Sequence, residues 1–171
     1  ACGDIDSQCT GLFYSRRVGR SPQLSSLYGD NTSATNTTIL GASKLTGRLG
    51  KGLSVGFLDA YTQREAGTQD RPIEPGTNSA VGRLQQDLND GQTGVGVMLT
   101  GVNRNLDVNT DQYLRRAAYT GGLDVRHRFF SKNYEARAYV AASQVNGTAA
   151  AITSTESDGV HRYQRPDDDI S

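Results

Sequence analysis

Long runs in this chain alternate one apolar with one polar side chain, and that period of two constrains the fold more than any other feature. Ala117, Tyr119, Gly121, Leu123, Val125, His127 and Phe129 occupy the odd positions of one run, mostly apolar. Between them fall Arg116, Ala118, Thr120, Gly122, Asp124, Arg126 and Arg128. The next run mirrors it, with Tyr134, Ala136, Ala138, Val140 and Ala142 opposed to Glu135, Arg137, Tyr139 and Ser143. Successive side chains of a strand point to opposite faces, so each run has one greasy and one charged face. Helical periodicity is weak throughout.

Earlier runs repeat the pattern with less contrast. Ile39 and Leu45 oppose Lys44 and Arg48; Leu84 and Leu88 oppose Arg83 and Asp87; Val95, Val97 and Leu99 oppose a glycine-rich face. The run from Leu53 to Tyr61 is ambiguous, because Asp59 shares a side with Val55 and Phe57. Six strands are expected, at about 37–49, 52–64, 79–89, 92–105, 116–130 and 133–145. Short turns at Gly50-Lys51, Asn89-Asp90-Gly91 and Ser131-Lys132-Asn133 join them in pairs, near positions 50, 90 and 132. Their residue types supply the positive φ that tight hairpins demand. Longer polar stretches, Glu65 to Asn78 and Leu106 to Arg115, separate the pairs, and Pro72 and Pro75 keep the first from continuing a ladder.

The expected fold is therefore all-β, an antiparallel hairpin meander. Short turns at one end and long loops at the other, on strands longer than the usual five or six residues, match a transmembrane outer-membrane barrel. A loop-rich segment over 1–36 precedes the barrel strands of 37–171. Bacterial barrels need at least eight strands, so this chain is expected to hold an incomplete barrel. It starts Ala1-Cys2-Gly3 without Met and reads as a mature product or an excised fragment. A β-propeller would show four short strands per repeat and a recurring Trp-Asp signature, but the chain has no Trp.

Composition agrees. Only 35% of residues are hydrophobic and Gly is abundant at 20, as expected when half of every strand faces water. No stretch approaches the roughly 20 apolar residues of a membrane helix, which leaves strands as the spanning element. Eighteen basic and 18 acidic side chains cancel, so no electrostatic footprint for nucleic acid exists. Cys2 and Cys9 lie in a Gly/Asp/Ser-rich segment where a disulfide would suit an oxidising periplasm. With no His nearby they do not make a zinc site.

Candidate binding residues fall into two sets. Arg16, Arg17 and Arg20 form the densest basic cluster, suited either to anionic sugars, phosphates and lipopolysaccharide or to pairing with lumen carboxylates. Lys44, Arg83, Asp87, Asp124, Arg126, Arg128, Glu135 and Arg137, with Arg48 and Arg116, would line the watery side of a barrel. No catalytic residue, metal ligand or cofactor is assigned. His127 and His161 lack a nucleophile elbow, Asp167 to Asp169 lack calcium-loop spacing, and Leu49 to Gly52 is a hairpin turn rather than a phosphate loop.

The run Leu12-Phe13-Tyr14-Ser15-Arg16-Arg17-Val18-Gly19-Arg20-Ser21-Pro22 resembles the "FYSRRIGR-P" signature of an uncharacterised family of bacterial surface proteins. These join a family-nine-type carbohydrate-binding module to a C-terminal outer-membrane barrel domain of unknown function. Thr38 to Gly47 resembles "TILGAAKLTG", Ser54 to Ala60 "SVGLLDA", Val81 to Gln85 "VGRLQ", Val102 to Arg104 "AVNRDL", Tyr119 to Phe129 "YVGGVDLRHRF", and Tyr163 to Asp167 "YFQRPD". The motifs agree in order and spacing over nearly the whole chain after Leu12. The resemblance implies a barrel in the bacterial outer membrane, in contact with its lipid, and a role in binding or passage of carbohydrate. A glycoside-hydrolase-type or other hydrolytic activity, with Asp124 and Glu135 on neighbouring strands, is the alternative. A soluble β-sandwich used for adhesion is a second.

Overall fold

A computed structural model describes residues 19–131 and 133–156. Arg16, Arg17, Cys2, Cys9, Lys132, His161 and Asp167 to Asp169 lie outside the described residues.

Every expected strand is present, within a few residues at each end. The main sheet is antiparallel, built from β1 (Ile39–Leu49), β2 (Leu53–Thr62), β5 (Thr77–Leu88), β6 (Thr93–Arg104), β7 (Ala117–Phe129) and β8 (Tyr134–Asn146) in that spatial order. Among the described residues the sheet is open: β1 and β8 each pair on one side only. Between β2 and β5 two short strands, β3 (Glu65–Ala66) and β4 (Pro72–Glu74), form a small sheet of their own. The stretch expected as a plain loop thus carries a second hairpin, although Pro72 does keep it off the main ladder. Two short helices, α1 (Ser25–Tyr28) and α2 (Ala149–Glu156), complete the order. No helix of the described residues is long and apolar enough to cross a membrane, which says nothing of strands.

The tight turns rest on positive φ at Lys51 and Gly52, at Asn89, Asp90 and Gly91, and at Phe130 and Ser131. The last differs from expectation. The strand stops at Phe129, and Phe130 takes the left-handed conformation at φ 50°. Its ring meets Phe129 at 5.4 Å and Tyr134 at 5.7 Å, both edge-on, so aromatic contacts accompany a backbone that a bulky residue seldom adopts.

Register assigns each side chain to a face. Leu45, Phe57, Gly82, Leu99, Gly121 and Ala142 form one cross-strand row; Val55, Leu84, Val97, Leu123 and Val140 form the next. On the inner strands this apolar face is the more exposed one, with Leu99 61% exposed and Leu84 and Leu123 each 51%, whereas β1 and β8 are exposed on both faces. Along β7 the apolar positions Leu123, Val125 and Phe129 are exposed, whereas Asp124, Arg126 and Arg128 between them are only half exposed. Asp59, the residue that blurred β2, does stand on the apolar face, near the loop end, where it accepts a hydrogen bond from Asn78 Nδ2 at 3.0 Å.

The buried core lies at the long-loop end rather than under the sheet. Leu24, Ile73, Leu114 and Ala151 are buried there, contributed by the turn that leads into α1, by β4, by the β6–β7 loop and by α2. We term this assembly the cap. The Leu24 amide donates to the Ile73 carbonyl at 2.9 Å, and Gly67 lies so close to the Tyr28 carbonyl that a Cβ would strike it. Arg71 covers the Tyr28 ring at 5.4 Å. Thr148 Oγ1 donates to the Asp111 carbonyl at 2.7 Å and ties α2 to the β6–β7 loop.

Asp30 organises the turn after α1. Its Oδ1 accepts from Thr32 N at 2.8 Å, Thr32 Oγ1 at 2.7 Å and Ser33 Oγ at 3.1 Å, while Oδ2 accepts from Thr68 Oγ1 at 3.2 Å. These donors, Thr32 first, lower its pKa to about 2. A depressed carboxyl stabilises the turn above the ordinary aspartate range, and that contribution disappears as pH falls through about 2. NMR titration of the Asp30 carboxyl carbon is expected to show its midpoint there; a midpoint in the unperturbed range would mean that the hydrogen bonds do not persist in solution.

Candidate functional site

The polar face gathers the lining residues that the alternation picked out. Lys44, Arg48, Arg83, Asp87, Asp124, Arg126, Arg128, Glu135 and Arg137 all stand on it. Most are joined in ion pairs. Arg83 Nη2 donates to Asp124 Oδ2 at 3.0 Å, with a second, closer bond from Nη1 to Oδ1. Asp87 bridges Arg48 at 3.1 Å and Arg126 at 3.4 Å. Glu135 accepts from Arg128 Nε at 2.5 Å and also from Arg137. Lys44 has no ion-pair partner among the described residues.

Two glycines make the longer pairs feasible. In register, Gly94 lies between Asp87 and Arg126, and Gly96 between Gln85 and Asp124. Arg83 and Asp124 belong to β5 and β7, so their side chains must meet across β6. A Cβ at position 96 would stand 2.6 Å from either Asp124 carboxylate oxygen, inside the ion pair. The glycine-rich character of this face was visible in the sequence; its use as a trough for ion pairs was not. Gly96→Ala is expected to push the Arg83 and Asp124 side-chain ends apart and to destabilise the sheet by up to about 1 kcal/mol, since side-chain ends rather than backbone must move. Chemical denaturation would measure it, and an unchanged midpoint would show that the pair moves aside freely.

The carboxylates considered for hydrolysis are not brought together. Asp124 faces Tyr139 and Glu135 faces Arg128, an offset of roughly 13 Å along the strands. A glycosidase pair needs about 5–9.5 Å. Both carboxylates are also held by arginines. His127 stands on the apolar face, its Nδ1 2.9 Å from Thr93 Oγ1 and its ring stacked on Phe129 at 6.0 Å.

Arg20 sits elsewhere, in the cap, where it enters a cluster that the sequence did not reveal. Its Nη2 meets Glu74 Oε1 at 3.2 Å. Glu74, only 3% exposed, also accepts from the Gln23 amide at 2.8 Å. Partial burial lowers the pKa of Arg20, with Glu74 opposing the fall and Arg115 adding to it. Arg104, the last residue of β6, is close enough to feel the charges of Arg20, Glu74 and Arg115. Its Nη1 donates to the Arg115 carbonyl at 2.9 Å, and its enclosed Nε has no hydrogen-bond partner among the described residues. Arg115 Nη1 donates to Thr155 Oγ1 of α2 at 2.9 Å. No group of metal-ligating side chains occurs among the described residues.

A meander of long antiparallel strands, with one apolar face and one largely ion-paired face, defines an all-β class. The chain belongs to the family described as Domain of unknown function (DUF5916), whose model matches residues 8–167. No curated protein and no solved structure matches it.

Proposed function

We propose that this chain forms part of the wall of a bacterial outer-membrane β-barrel, and that the barrel binds or passes a carbohydrate-type ligand at the cell surface. The observation that carries the membrane reading is the inverted exposure of the sheet. On the inner strands its large apolar side chains are the more exposed ones, and most of its charges are paired on the opposite side. In water alone such a face is an association surface far larger than ordinary soluble proteins display. In a bilayer it meets hydrocarbon, and the charged face lines a wet interior.

Aromatic residues at both ends of that face support the same reading. Tyr61 and Tyr119 stand near the loop end, and Phe129, Phe130 and Tyr134 cluster at the turn end. From Tyr119 to Phe129 is roughly 33 Å along a strand. At the tilt of outer-membrane strands that is roughly 25 Å across the bilayer, the height of the apolar band in such barrels. The open edges of β1 and β8 would be closed by further strands, since lipid tolerates no unpaired edge. The carbohydrate element rests on the family resemblance of the sequence motifs.

Intact protein should require detergent for extraction, and in planar bilayers it should give a conductance while turning over no glycan. Extraction into buffer alone would favour a soluble sandwich. Glycan hydrolysis without conductance would favour an enzyme and remove the passage reading.

A further inference from the structure

We propose that Arg20, Arg104 and Arg115 form a binding site for a carboxylate or phosphate group, seated in the cap at the long-loop end of the polar face. The Arg20 guanidinium meets the Glu74 carboxylate there, Arg104 lies within range of both charges, and the Arg115 carbonyl accepts from Arg104 Nη1. Both Glu74 oxygens are already engaged, Oε1 by Arg20 and Oε2 by the Gln23 amide. Arg104 and Arg115 find only neutral acceptors among the described residues, a carbonyl and a hydroxyl respectively. Arg104 keeps an enclosed Nε with no partner among the described residues. Buried positive charge without a counter-charge is costly, and planar guanidinium forks match planar or tetrahedral oxyanions.

A second observation points the same way. The chain as a whole is neutral, yet the polar face leading to the cluster is not. Lys44, Arg48, Arg83, Arg126, Arg128 and Arg137 outnumber Asp87, Asp124 and Glu135, and Arg104 stands on that same face. A surface of one dominant sign concentrates ions of the other and guides them toward such a site. The site therefore selects an anionic ligand, such as a saccharide bearing a carboxylate or phosphate. It does not depend on the membrane reading, because the cap would hold the same cluster in a soluble protein.

The test is a titration of the intact protein with glucuronate and with inorganic phosphate, at constant ionic strength, followed by calorimetry and by thermal shift. Neutral glucose serves as control, and anionic phospholipid in mixed micelles is a separate arm. Saturable binding of the soluble anions is expected, weakened at least about tenfold in Arg104→Gln and in Arg115→Gln. Saturation by the lipid arm alone would keep the site and assign the anion to a headgroup. Should either arginine variant misfold, Glu74→Gln decides the matter. It preserves shape and removes the competing charge, so anion affinity should rise several-fold. Absence of saturable binding in the wild type, or binding equal in wild type and all variants, overturns the site. Neither result touches the extraction and conductance tests of the barrel.

Discussion

Replacing Leu99 with arginine is expected to destabilise the folded protein in a bilayer by about 2–4 kcal/mol, the cost of a cation at mid-membrane on a barrel's outer face. Leu99 lies between Gly82 and Gly121 near the middle of the apolar face and is 61% exposed. An equally exposed leucine on a soluble protein could be changed to arginine within about 0.5 kcal/mol. The two readings of the exposed face therefore diverge widely at one position. Folding titrations of Leu99→Arg and wild type into lipid vesicles would read the difference. A change under about 0.5 kcal/mol would end the lipid-facing assignment. Met98→Arg is the internal control. Its side chain points to the polar face, opposite Arg83 and Gly122, so its effect should lack the dependence on bilayer thickness that Leu99→Arg shows.

The other large effect belongs to the cap. Ile73 is fully buried, and its carbonyl receives the Leu24 amide. Truncation to alanine is expected to cost about 2–5 kcal/mol, through lost burial and the cavity left behind. The damage should be local. The six long strands share few buried contacts with Ile73, and their ladder bonds are independent of it. Hydrogen exchange should therefore quicken across Leu24 to Tyr28 and Glu65 to Glu74 while the amides of β6 and β7 stay protected. If the whole sheet lost protection together, the cap would have to be treated as part of one cooperative unit.

The strands were legible because a period of two leaves a mark on every residue it orders. Register added what periodicity could not: it set Asp87, Gly94 and Arg126 in one row and turned a list of charges into pairs. It also separated Asp124 from Glu135, which adjacency of strands alone had left within reach. The cap was illegible for a physical reason. β3 and β4 are too short for any alternation to declare itself, and their order comes from contacts with α1, remote in sequence. Arg104 fell at the end of an expected strand and Arg115 in an expected loop, and only the fold brings Arg20 and Glu74 near Arg104. α2 did leave a signal, since Ala149, Ala150 and Ala151 are the strongest helix formers, but the strand pattern before it drew the reading elsewhere.

The two outermost ribbons of backbone, Ile39–Leu49 and Tyr134–Asn146, have amides and carbonyls on one flank with nothing to bond among the described residues. Such margins are templates, and they accept whatever extended chain arrives first. Produced in isolation, this stretch should therefore stack sideways on copies of itself into fibrous or amorphous material. Any strand that covers such a margin would protect it as well as extend the sheet, since it occupies the groups on which a stranger could dock.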